Sequence, residues 1–134
     1  MCRPALLLRD TLEVALLDPT FGSAFFERLF TAHPHLRARF VQNSSGAQQK
    51  MFAQKLCAVV DGIEDPDVLV REAQAIARTH RGYGATLEMY TWVGDALVET
   101  LRVLAADAWS DEAEVAWRAA YDALVRAISE ASAA

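Results

Sequence analysis

The stretch Leu69-Val70-Arg71-Glu72-Ala73-Gln74-Ala75-Ile76-Ala77-Arg78-Thr79-His80-Arg81-Gly82 places Leu69, Ala73, Ile76 and His80 at steps of four, three and four. Side chains at those steps share one face of an α-helix, and the polar residues between them take the other. A histidine that closes such a stripe is expected to face the same interior as the apolar residues before it. Gly82 and Gly84 follow, where a helix stop belongs. Upstream, Asp65-Pro66 reads as an N-cap followed by proline, whose missing N–H costs nothing in a first turn.

The same period recurs outward from this stretch. Leu8, Leu12 and Ala15 share a face, as do Phe26, Leu29 and Phe30. So do Phe52, Leu56, Val59 and Ile63, then Leu97, Leu101 and Leu104, then Trp117, Tyr121, Leu124 and Ile128. Pro4, Pro19 and Pro34 sit where helices can open, with Asp18 as a cap before Pro19. Ser110 with Asp111, Glu112 and Glu114 puts a cap and acidic charge at another start. No window alternates with a period of two, and helical spacing surrounds Asp61-Gly62, the nearest thing to a hairpin turn. The pattern predicts an all-α fold of six or seven helices near 4–17, 19–32, 34–39, 46–63, 66–80, 86–106 and 110–131, with Val41 to Ala47 as the main loop.

The 134 residues carry 13 Lys+Arg against 18 Asp+Glu, a net charge of −5, and 53% of them are hydrophobic. That length and apolar content suit a single domain over 1–134 with a sizeable core. The acidic balance argues against nucleic acid or an anionic membrane surface as partner. No apolar run approaches the roughly 20 residues of a membrane span, and Arg9 and Asp10 interrupt the apolar start. Cys2 and Cys57 form no disulfide framework. The expectation is a cytoplasmic protein.

For chemistry, His80 admits two readings. One is a half-buried histidine bonded to a carbonyl such as that of Ile76; the other is an axial ligand to an iron porphyrin, with a neutral imidazole nitrogen facing an apolar cavity. His33-Pro34-His35 lacks the cysteines or carboxylates that would complete a metal site and reads as an exposed corner. Cys57, Trp92, Trp109 and Trp117 read as packing residues, and Met51 as a weak candidate for a sixth iron ligand beside Phe52. No Walker or Gly-x-Gly-x-x-Gly loop is present, so no nucleotide site is expected.

Longer segments carry a resemblance. Ala24-Phe25-Phe26-Glu27-Arg28-Leu29-Phe30-Thr31-Ala32-His33-Pro34-His35-Leu36-Arg37-Ala38-Arg39-Phe40 resembles the second and third helices of bacterial haemoglobins. Ile76 to Gly84, followed by Tyr90, Val93-Gly94 and Leu97, resembles their ligand-bearing region, and Ala116-Trp117-Arg118-Ala119-Ala120-Tyr121 their last helix. The likeness is collinear from about Phe21 to Ile128 and points to single-domain bacterial globins and the haem domain of flavohaemoglobins. It implies a globin fold around haem b (iron protoporphyrin IX), with His80 as the proximal iron ligand. It further implies Phe40 packed on the porphyrin, Gln48 at the distal position 80 − 48 = 32 residues before His80, with Gln49 as its alternate, Phe52 and Phe26 on the distal side, and Tyr90 and Tyr83 as further cofactor contacts.

The sequence departs from that pattern in places. Phe26 stands where such proteins commonly carry a tyrosine whose hydroxyl bonds dioxygen, so the distal side is expected to be more apolar and dioxygen release faster. Thr79 replaces the usual lysine before the proximal histidine, and Ser132, with Glu130 nearby, occupies the place of a glutamate partner to Tyr90. The implied function is reversible binding of dioxygen or another diatomic gas, by a monomer or homodimer. Alternatives are a nitric oxide dioxygenase or peroxidase-like enzyme served by a separate reductase, and a haem-free sensor or interaction module.

Overall fold

Helix starts follow the capping chemistry of the sequence. Asp65 Oδ1 accepts a hydrogen bond from the Asp67 amide at 3.0 Å, and Ser110 Oγ accepts one from the Ala113 amide at 3.1 Å. Each bond satisfies an amide that a helix start leaves without an internal partner. The computed structural model describes residues 3–39, 45–81 and 87–133, and the backbone alone at 37–39, 45–51, 79–81, 87 and 132–133. Among these residues lie six α-helices and no strand: α1 Arg3–Leu16, α2 Phe21–Ala32, α3 Ser45–Asp61, α4 Pro66–Arg81, α5 Leu87–Ala105 and α6 Asp111–Ala133. Short 3-10 segments, Pro34–Arg39 and Ala106–Ala108, follow α2 and α5.

Several boundaries differ from expectation by one or two residues, α3 ending at Asp61 and not at 63 and α6 running to Ala133 and not to 131. α2 starts at Phe21 and not at Pro19, because the Asp18 carboxylate accepts from the amide and hydroxyl of Thr20, at 2.8 and 2.6 Å, and closes a turn first. α3 starts at Ser45, one residue before the expected 46, so Ser45 is helical, as are Gly46 and Ala47, where the expected helix and loop overlap. None of the three is a proline, so no amide is removed and no extended backbone is imposed.

α1, α2, α5 and α6 share the main core, in which Leu8, Phe25, Leu29 and Leu101 are fully buried. Its polar atoms are partnered: Trp117 Nε1 of α6 donates to Thr11 Oγ1 of α1 at 2.8 Å, and Thr11 Oγ1 donates to the Leu7 carbonyl at 2.6 Å. A second cluster joins Ala73 and Ala77 of α4 to Ile128 of α6. The two alanines let these helices approach closely, and α4 packs mainly along α6. Its contact with α3 is slight, and includes Gly62, just past the end of α3, facing Val68 and Lys55 Nζ bonding Glu72 Oε2 at 2.7 Å. No described helix is long and apolar enough to cross a membrane.

Candidate functional site

Phe21, Phe25 and Leu29 recur every four residues on α2 and are buried together with Phe26. Phe25 stacks on Phe52 of α3, ring centroids 4.1 Å apart and planes at 11°. Phe26 meets the same Phe52 edge-on at 5.9 Å and stacks on Phe30 at 5.8 Å. Offset and edge contacts of this kind suit the ring quadrupole. Phe26 is buried while Phe30 and Phe52 are half-buried, so α2 and α3 together present a wall of phenylalanine rings. Two of the predicted site residues, Phe26 and Phe52, thus come together. Phe25 was not singled out from the sequence, although its spacing from Phe21 and Leu29 marks it as a core position. Gln48 lies in α3 one turn before Phe52; its side chain, like the whole of Phe40, falls outside the described residues.

Tyr90 belongs to a different cluster. It stands in the first turn of α5 and packs with Ile76 and Leu124 against Ala73, Ala77 and Ile128. Ile76 and Ala77 are one turn before His80, which occupies the last turn of α4. The His80 side chain, Tyr83 and the Ser132 side chain lie outside the described residues. Burial pushes the Tyr90 phenol above its ordinary range. Its main-chain carbonyl accepts a hydrogen bond from the hydroxyl of Tyr121 on α6. The Tyr121 ring lies over Gly94, and burial, then the Tyr90 and aspartate charges nearby, raise its pKa strongly.

The remaining candidates pack. His33 stacks on Trp92 at 4.2 Å and His35 meets the same indole edge-on at 5.2 Å, so this corner is an aromatic contact with α5. No group of three or more His, Cys, Asp or Glu suited to a metal occurs among the described residues. Cys57 is half-buried against the main core, and burial followed by the Asp61 charge raises its thiol pKa, which keeps it a poor nucleophile. Met51 has its side chain outside the described residues.

A family model described as Globin matches residues 23–128. The flavohemoprotein of Bordetella pertussis is 36% identical over 102 residues, covering 75% of this chain and 25% of its own length. That of Rhodopirellula baltica is 35% identical over 120 residues, 88% of this chain and 27% of its own. The chain therefore spans about a quarter of the length of these relatives. A crystal structure from Pseudomonas aeruginosa PAO1, described as structurally highly homologous to a human hemoglobin, superposes with a TM-score of 0.86 over 97% of this chain and 98% of that one. Its sequence identity is 19%, so this likeness speaks to the fold alone.

Proposed function

The chain belongs to the globin family and has the globin fold, and from that premise we propose that it holds a haem through His80 and binds a diatomic gas reversibly, dioxygen foremost. The observation that carries the reading is a histidine in the last turn of α4, one turn beyond Ile76 and Ala77, which cluster with Tyr90. α2 and α3 add the phenylalanine wall of Phe26, Phe30 and Phe52. Phe30, Phe52, Ile76 and Tyr90 are only half-buried, which suits a flat apolar group meeting them. The donor set fits haem: one imidazole, no competing cluster of metal ligands among the described residues, and hydrocarbon walls.

When bound, the haem supplies the iron on which a diatomic gas is held. The residues of this chain supply the rest. His80 would give the iron a neutral imidazole nitrogen, fixed by a helix that packs along α6. Phe26 and Phe52 exclude water, which slows oxidation of the iron. Gln48 is the proposed distal hydrogen-bond donor, and Phe40 and Tyr83 are proposed contacts to the porphyrin. Cys2 and Cys57 form no Cys-x-x-Cys-His attachment motif, which supports a non-covalent haem b.

A second reading, implied by the resemblance to flavohaemoglobins and in keeping with relatives named flavohemoproteins, is dioxygenation of nitric oxide with electrons from a separate reductase. Phe26 weighs against it, since a ring without a donor does not hold polarised dioxygen as firmly.

Reconstitution with haemin followed by the optical spectrum of the deoxy-ferrous protein tests the proposal. The expected result is a stoichiometric porphyrin band with a five-coordinate ferrous spectrum, lost in His80→Ala. A colourless wild type, or a His80→Ala spectrum equal to wild type, overturns it. Turnover of nitric oxide in the presence of a reducing system selects the second reading over the first.

A further inference from the structure

α6 is the platform for both sides of the His80 region. Through Leu124, Ala127 and Ile128 it carries α4, and through Tyr121 it reaches the first turn of α5. The Tyr121 hydroxyl donates to the main-chain carbonyl of Tyr90, 31 residues away in the chain. In a regular helix a carbonyl accepts from the amide four residues on, which here is Gly94, and a carbonyl oxygen has a second lone pair that can take an outside donor. Gly94 is what lets the donor in. A Cβ at position 94 would lie 2.6 Å from Tyr121 Cε2 and 2.8 Å from Cδ2, so any side chain there would push the phenol off the carbonyl. A second tie at the same crossing, Arg118 to Asp95 at 2.7 Å, is exposed and correspondingly weak. Among the described residues, the hydroxyl of Tyr121 is thus a half-buried tie between α5 and α6 at this point.

We infer that Tyr121 is a positioning residue for the His80 side of the site: its hydroxyl pins the first turn of α5 to α6, so that the Tyr90 ring is held in the cluster around Ala73 and Ala77 of α4, with Ala77 one turn before His80. The inference rests on the haem reading for its functional meaning, and on geometry alone for the pinning itself. Its phenol stays protonated, and so remains a donor, throughout the neutral range.

Tyr121→Phe removes one oxygen and leaves the ring in place. Loss of a hydrogen bond of this class corresponds to roughly five- to tenfold in a local opening equilibrium. The expected result is that amide exchange quickens by about that factor at Gly94 and also at Ala77 and His80 on α4. In the haem-loaded protein the iron–histidine stretching band shifts and haem loss quickens by a similar factor. Arg118→Gln, which cuts only the exposed tie, leaves all three unchanged. A lowered melting temperature with unaltered exchange on α4 and an unaltered iron–histidine band shows a merely structural tyrosine and overturns the inference. If the wild type takes up no haem, the functional reading fails by itself, and the exchange comparison on the haem-free chain still decides whether Tyr121 holds Tyr90 against α4.

Discussion

At the scale of single residues, the ring at position 26 is proposed to line the gas-binding side. Phe26 is packed among Phe25, Phe30 and Phe52 at centroid distances of 4.9, 5.8 and 5.9 Å. Phe26→Tyr adds the donor that this wall lacks. One hydrogen bond to a polarised ligand is worth about 1.5–3 kcal/mol, so dioxygen dissociation is expected to slow roughly ten- to hundredfold. Flash photolysis or stopped-flow displacement checks it, and an unchanged rate removes Phe26 from the gas-binding side. The same variant is expected to lose about 1–3 kcal/mol of stability wherever the new hydroxyl finds no partner in the absence of ligand. The resemblance to bacterial globins points to Phe26 and Phe52 as site residues, and the structure brings their rings into contact. Phe25 was not singled out, because neither spacing nor resemblance separates a ring that fills the core from one that backs the site.

At the scale of elements, helix starts were legible wherever a cap and a proline or an acidic turn coincide, as at Asp65-Pro66 and Ser110. They were less so at Asp18-Pro19, where the carboxylate bonds Thr20 and delays the helix by two residues. The junction of α3 and α4 depends on a contact invisible to periodicity. A Cβ on Gly62 would come within 2.1 Å of Val68 Cγ1 and 2.9 Å of its Cβ. Gly62→Ala is therefore expected to cost about 1–3 kcal/mol, as overpacking usually does. Adding Val68→Ala should return most of the loss introduced by Gly62→Ala. Denaturant midpoints of the two single variants and the double variant measure this coupling, and additive losses refute the contact.

At the scale of the whole molecule, stability at alkaline pH is tied to the phenols of Tyr90 and Tyr121. Burial raises the pKa of both Tyr90 and Tyr121, whereas an unfolded tyrosine titrates at about 10. Above about pH 10 the unfolded chain thus binds fewer protons than the folded one, and stability falls as pH rises. Below that pH both states hold the protons and these groups add no slope. Urea midpoints taken from about pH 9 to about pH 12 are expected to fall for the wild type and to fall less steeply in Tyr121→Phe. Equal slopes would refute the burial of that phenol. Taken by itself, the order of the residues determined an all-α chain, helices of nearly the observed extents, and a histidine closing an apolar stripe on α4, because local spacing and capping act within a few residues. Only the tertiary structure decided that Phe25 backs Phe52, that Tyr90 joins α4 and α6 apart from the phenylalanine wall, and that Tyr121 reaches the Tyr90 carbonyl across Gly94. Those contacts join residues far apart in the chain, and no local pattern encodes how closely two helices approach.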